Sequence, residues 1–62
     1  MDKMKKIIDL KQGDSIQGKN GERLEIISNQ QGILFYYNTK QAIFITKNLT
    51  KNAKNGDFVW LW

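Results

Sequence analysis

Apolar residues cluster most densely between Gly32 and Thr46, where Ile33-Leu34-Phe35-Tyr36-Tyr37 and Ala42-Ile43-Phe44-Ile45 flank a polar break at residues 38–41. Runs rich in β-branched and aromatic residues on either side of a short polar segment predict a β-hairpin. Setting Tyr37 opposite Ala42 places Phe35 against Phe44 and Ile33 against Thr46 on one face. Tyr36 then meets Ile43, and Leu34 meets Ile45, on the other. Both faces are apolar, which predicts a strand pair central to a small barrel or partly committed to another chain. A sheet with one solvated face would instead alternate apolar with polar.

The flanking segments extend this pattern. A three-residue loop at Lys19-Asn20-Gly21, with Gly21 in the left-handed position of a G1 bulge, pairs Ile16 with Leu24 and Asp14 with Ile26. The strand so begun spans residues 22–28, and a four-residue loop at Asn29-Gln30-Gln31-Gly32 leads into the central hairpin. Ile26 then faces Phe35 and Leu24 faces Tyr37, so the expected core is Ile16, Leu24, Ile26, Ile33, Phe35, Tyr37, Ala42 and Phe44. Ile27, Leu34, Tyr36, Ile43 and Ile45 form a second, smaller apolar face. Residues 3–10 fit two patterns. Met4, Ile7 and Ile8 have helical spacing with Asp2 as a possible cap, whereas Ile8 and Leu10 alternate as in a strand, the alternative preferred here. After Thr46, Leu49 and Ala53 stand four apart between a capping Asn48 and a terminating Gly56, predicting one helical or 3₁₀ turn. Residues 57–62 follow as a last strand, with Phe58, Trp60 and Trp62 on one side and Val59 and Leu61 on the other.

Leu10-Lys11-Gln12-Gly13-Asp14-Ser15-Ile16 resembles the Leu-x-x-Gly-Asp-x-Ile/Val opening of SH3-like barrels, including KOW modules. The resemblance covers seven residues and implies a glycine turn followed by a strand. With it, the expected fold is all-β: a single domain over residues 1–62, built as a five-stranded SH3-like barrel with a short turn of helix before the last strand. Peptide-binding SH3 domains also carry a Pro and a Trp pair in fixed places. This chain has no Pro and no Trp before Trp60, so the resemblance does not carry proline-rich peptide binding with it.

Composition narrows the chemistry. A 62-residue chain buries only about 60% of the surface that its unfolded form exposes, and with no Cys no disulfide can reinforce it. The absence of Cys and His removes the usual zinc ligand sets and the commonest general base and nucleophile. We therefore expect a non-enzyme with no metal and no cofactor. Gly18 to Gly21 lacks the spacing and the Lys-Ser/Thr of a phosphate loop, and Asp14 is expected to bond its own turn. Asp9 and Lys11 interrupt any signal-peptide core, and no run approaches the ~18 apolar residues of a membrane span, so a cytoplasmic location is expected.

The net charge of +4 is unevenly distributed. Residues 1–31 carry six basic and five acidic side chains, whereas residues 32–62 carry four Lys and only Asp57. Two binding functions follow as expectations. The first is protein contact, including self-association, through Leu34, Tyr36, Ile43 and Ile45 joined by Trp60, since Trp and Tyr anchor interfaces. The second is single-stranded nucleic acid held by Tyr36, Tyr37, Lys40, Lys47, Lys51 and Lys54, where bases stack on rings and Lys follows the phosphates. The motifs of RRM and KH domains are absent.

Overall fold

Residues 3–62 are described by the computed structural model; Asp2, a possible helix cap, lies outside them. The order of elements is β1 (Met4–Lys6), a 3₁₀ turn (Ile7–Asp9), β2 (Ser15–Gln17), β3 (Arg23–Gln30), β4 (Ile33–Asn38), β5 (Ile43–Asn48), α1 (Thr50–Lys54) and β6 (Phe58–Trp60). Strands β2-β3-β4-β5 form one antiparallel sheet, and β1 pairs with β6 in a second. The sheets meet along one seam. Ile16 bridges Leu61, the Trp62 amide donates to Ser15 O at 2.9 Å, and Gln17 Nε2 donates to Leu61 O at 3.2 Å. The all-β class expected from the pattern is present, but four strands plus two that do not close replace the five-stranded barrel.

Local signals locate several elements. Gly21 adopts φ +80° in a three-residue loop closed by the Gly18 amide on Glu22 O at 2.6 Å, and Ile16 pairs with Leu24 as expected. Asn48 Oδ1 accepts from the Thr50 amide at 3.0 Å and the Thr50 hydroxyl at 2.8 Å, but the cap position of α1 is Leu49, without a side-chain cap bond, so Asn48 is not the cap; Gly56 at φ +76° follows the helix. In β6 the expected alternation holds: Phe58, Trp60 and Trp62 are exposed, while Val59 and Leu61 pack on the core. Residues 3–10 do not form one strand. Its first part is β1, after which the chain turns in 3₁₀ geometry and buries Ile7 and Leu10.

The largest departure concerns the central hairpin, whose faces are inverted relative to expectation. The loop before it has two residues, Gln31 and Gly32, with φ of +56° and +104°, the mirror-image turn that suits the right-handed twist of paired strands. Near this turn Gln30 pairs with Ile33 and Ser28 with Phe35, but beyond a bulge at Ile27 the pairing is Ile26 with Tyr36 and Leu24 with Asn38. A shift of one residue exchanges the faces of a strand. Leu34 and Tyr36 consequently enter the core with Leu10, Ile16, Leu24 and Ile26, and Ile45 packs against them. Ile33, Phe35 and Phe44, assigned to the core by pattern, are exposed. In the hairpin itself Tyr37 faces Phe44 and Tyr36 faces Ile45. This register is two residues along from the expected one, and Ala42 falls in the turn at φ +56°.

Two Asn side chains make the irregular parts possible. Asn29 Nδ2 donates to Ile7 O at 2.8 Å and Leu10 O at 2.9 Å, while its Oδ1 accepts from the Gly32 amide at 2.9 Å. One side chain thus ties the 3₁₀ turn to the hairpin loop and satisfies three backbone groups. Asn38 is buried, and its Oδ1 accepts from the amides of Lys40 and Gln41 at 3.0 and 3.1 Å.

Candidate functional site

The inverted hairpin directs an aromatic cluster outward. Phe35 and Phe44 stack with ring centroids 5.7 Å apart, and Tyr37 lies tilted against Phe44 at 4.9 Å. Phe44 is 63% exposed and Phe35 36%; Ile33 extends the patch along β4. A second apolar surface lies on the outer side of the β1–β6 pair, where Met4 opposes Trp60 and Lys6 opposes Phe58. Trp62, 64% exposed, continues that row. The pairs Ser15–Glu25 and Gln17–Arg23 on β2 and β3 separate the two surfaces, with Arg23 Nη1 2.7 Å from Glu25 Oε1.

The expected contact residues are not brought together. Leu34 and Tyr36 are buried, and Ile45 is half-buried against the same core, so these three serve the interior of this chain. Ile43 and Trp60 are exposed but lie on β5 and β6, in different sheets. Burial, followed by the charge of Glu22, raises the Tyr36 hydroxyl above its ordinary value of 10.0. Its burial in the core also removes Tyr36 from any stacking surface. Lys40 in the β4–β5 turn, Lys47 on β5, and Lys51 and Lys54 on α1 are all exposed. The pattern missed the outward rings because the bulge at Ile27, which decides their side, has no Gly or Pro to mark it.

A second ion pair, less exposed than Arg23–Glu25, lies away from both apolar surfaces. Lys5 Nζ donates to Asp14 Oδ2 at 2.9 Å, and the Lys11 amide donates to the same oxygen at 3.0 Å. The hydrogen bond from Lys5, assisted by the Lys11 amide and by both ammonium charges, outweighs desolvation and holds the Asp14 carboxyl below its ordinary 3.8. Because the folded value is the lower one, the stabilisation is fully present above pH 3.8 and is lost as pH falls through the folded value. Thermal melts across this acid range should show that Asp14→Asn is less acid-sensitive than the parent chain, at the expense of lower stability at neutral pH.

A shallow depression of ≈ 350 Å³ is lined by Gln12, Gly13, Ser15, Arg23, Glu25, Ile26 and Ile27. Its two charged side chains, Arg23 and Glu25, are paired with each other. Among the described residues no group of three His, Cys, Asp or Glu side chains is placed to hold a metal, and no helix is long and apolar enough to cross a membrane. The outward rings Phe35, Tyr37 and Phe44 form the one aromatic cluster among the described residues. No family model matches the chain, and no curated protein or solved structure matches it significantly.

Proposed function

We propose that the protein is a small non-enzymatic binding module that acts by protein contact, including self-association, through its outward apolar surfaces. The observation that carries this reading is the exposure of Phe35, Phe44, Phe58, Trp60 and Trp62 on so short a chain. A half-exposed aromatic ring presents on the order of 100 Å² to water, and covering it is worth about 2–3 kcal/mol. Contiguous apolar surface on a soluble protein marks an interaction site. Ile43 and Trp60 remain contact residues in this reading, and the rings of β4 and β5 take the role first assigned to Leu34, Tyr36 and Ile45. The strand order β1-β6, the Ile16–Leu61 bridge and then β2-β3-β4-β5 supports viewing the module as an SH3-like barrel left open between its outermost strands. Light scattering over a dilution series is expected to show mass falling from dimer or higher to monomer, with Trp60→Ser or Phe44→Ser shifting the equilibrium toward monomer. A mass equal to one chain at every concentration would refute self-association.

One observation favours a second reading. Phe35, Tyr37 and Phe44 lie in a part of the sequence with no acidic residue between Glu25 and Asp57, with Lys40 in the turn that joins their strands, although Lys47 pairs with Leu34 and so belongs to the opposite face. Rings on a sheet with Lys around them suit single-stranded nucleic acid, with Tyr37 and the two Phe replacing the buried Tyr36. Titration of labelled single-stranded DNA and RNA at two salt concentrations separates the readings. Phosphate contacts make affinity fall steeply with salt, and absence of binding at low salt would remove this one.

A further inference from the structure

Strand β5 is the outermost strand of the larger sheet, and among the described residues it pairs only with β4. The Leu49 amide donates to Gly32 O at 2.7 Å, and Ile33 faces Asn48 without interruption of register down to Asn38–Ile43. In an antiparallel ladder hydrogen-bonded and non-bonded pairs alternate. Odd-numbered residues of β5 therefore direct their backbone groups to β4, and Phe44, Thr46 and Asn48 direct theirs outward. Sheets ordinarily protect such edges with Pro, Lys, a bulge or a covering segment. β5 has no Pro, its pairing shows no bulge, its one Lys, Lys47, pairs with Leu34 on the face opposite to Phe44, and all of it except Ile45 is exposed.

Charge identifies the occupant. The turn before β5 carries Lys40, β5 itself carries Lys47, and the following helix carries Lys51 and Lys54. The nearest acid in sequence after β5, Asp57, already accepts from Asn52 Nδ2 at 2.9 Å. A second copy added antiparallel would bring its Lys47 and Lys51 end toward the Lys40 end of the first, a like-charge arrangement that disfavours pairing. An acidic strand meets Lys47 and Lys51 towards one end and Lys40, whose charge Glu22 partly offsets, at the other, and its alternate apolar side chains lie beside Phe44.

We infer that β5 accepts an extended acidic segment of another protein as an added strand, with alternate apolar side chains extending the Phe35–Phe44 surface. This rests on the protein-contact reading and names the partner's chemistry. The mode is strand addition, in which main-chain hydrogen bonds give affinity and alternate side chains give selectivity.

The probe is a capped peptide of about eight residues alternating Glu with Val, titrated into the full chain and followed by NMR amide shifts. A second peptide carries Lys in place of Glu. The Glu peptide is expected to shift the amides of Phe44, Thr46 and Asn48 and to bind at least about tenfold more tightly than the Lys peptide at low salt. Thr46→Pro removes an outward donor while leaving the ladder to β4 intact, and should weaken binding at least about tenfold. Where that variant does not fold, Lys47→Glu with Lys51→Glu should reverse the preference between the peptides. Equal binding of both peptides, or undiminished binding to folded Thr46→Pro, would overturn the inference. If neither peptide binds but the chain self-associates, protein contact stands and this occupant of β5 is rejected. If Thr46→Pro abolishes that self-association, a second copy covers β5 instead.

Discussion

Leu34→Ala is expected to lower the stability of the fold by about 2–5 kcal/mol, whereas Phe44→Ala should change it by less than about 1 kcal/mol. Leu34 is 1% exposed, among the most enclosed side chains of the chain, and Phe44 is 63% exposed. Deleting a buried Leu forfeits its transfer energy and leaves a cavity in the core that Leu34 shares with Ile26 and Tyr36, which a small core relaxes into poorly. Shortening an exposed ring loses only its contacts with Phe35 and Tyr37. A domain of this size has on the order of 5 kcal/mol in total, so Leu34→Ala should remove a large share of it, and at the upper end of that range would leave the chain about half-unfolded at room temperature. Urea titration followed by circular dichroism checks both values, and the opposite order would mean that the hairpin buries its other face.

Gly32→Ala is expected to cost about 2–4 kcal/mol, more than a change of one methyl group ordinarily does. Two effects combine at this position. Gly32 holds φ +104°, and a Cβ there would lie 2.8 Å from Thr50 Cα and 2.9 Å from Ala53 Cβ. The first effect is local strain, which L-residues avoid. The second is a collision with the backbone of α1, which cannot rotate away as a flexible side chain would. Gly13→Ala separates the two effects, because Gly13 has φ +95° and nothing within 4 Å of the added atom. Its cost should be about 1–2 kcal/mol, and equal melting temperatures for the two variants would show that α1 does not press on the hairpin loop.

These two positions also explain what could be read from the chain alone. The Gly21 loop, the α1 turn between Asn48 and Gly56, and the alternation of Phe58 to Trp62 depend on residues close in sequence, and each was legible. The orientation of the hairpin depends on Gln31 and Gly32 turning in two residues and on Ile27 leaving the ladder. Gln-Gly is a weaker turn signal than Asn-Gly, and a bulge at a β-branched residue leaves the apolar pattern unchanged. Both are held in place by contacts distant in sequence: Asn29 on the carbonyls of Ile7 and Leu10, and Gly32 against Thr50 and Ala53. Because both faces of the hairpin are apolar, composition did not say which one points outward. The candidate contact surface followed that choice, so Leu34 and Tyr36 were assigned to a surface they do not occupy. Trp60, Lys51 and Lys54 lie outside the inverted hairpin, Lys40 and Lys47 lie within it, and all five are exposed.

The outward direction of the β4–β5 aromatic face underlies both the proposed contact and the added strand, and thiol labelling tests it most directly because the chain contains no Cys. Phe44→Cys and Leu34→Cys would be made separately and reacted with a thiol reagent in dilute native protein. Phe44→Cys should react at nearly the rate of an unfolded control, and Leu34→Cys only at the much slower rate set by opening of the fold. A protected Phe44→Cys beside a freely reactive Leu34→Cys would place the aromatic cluster inside and contradict the central claim.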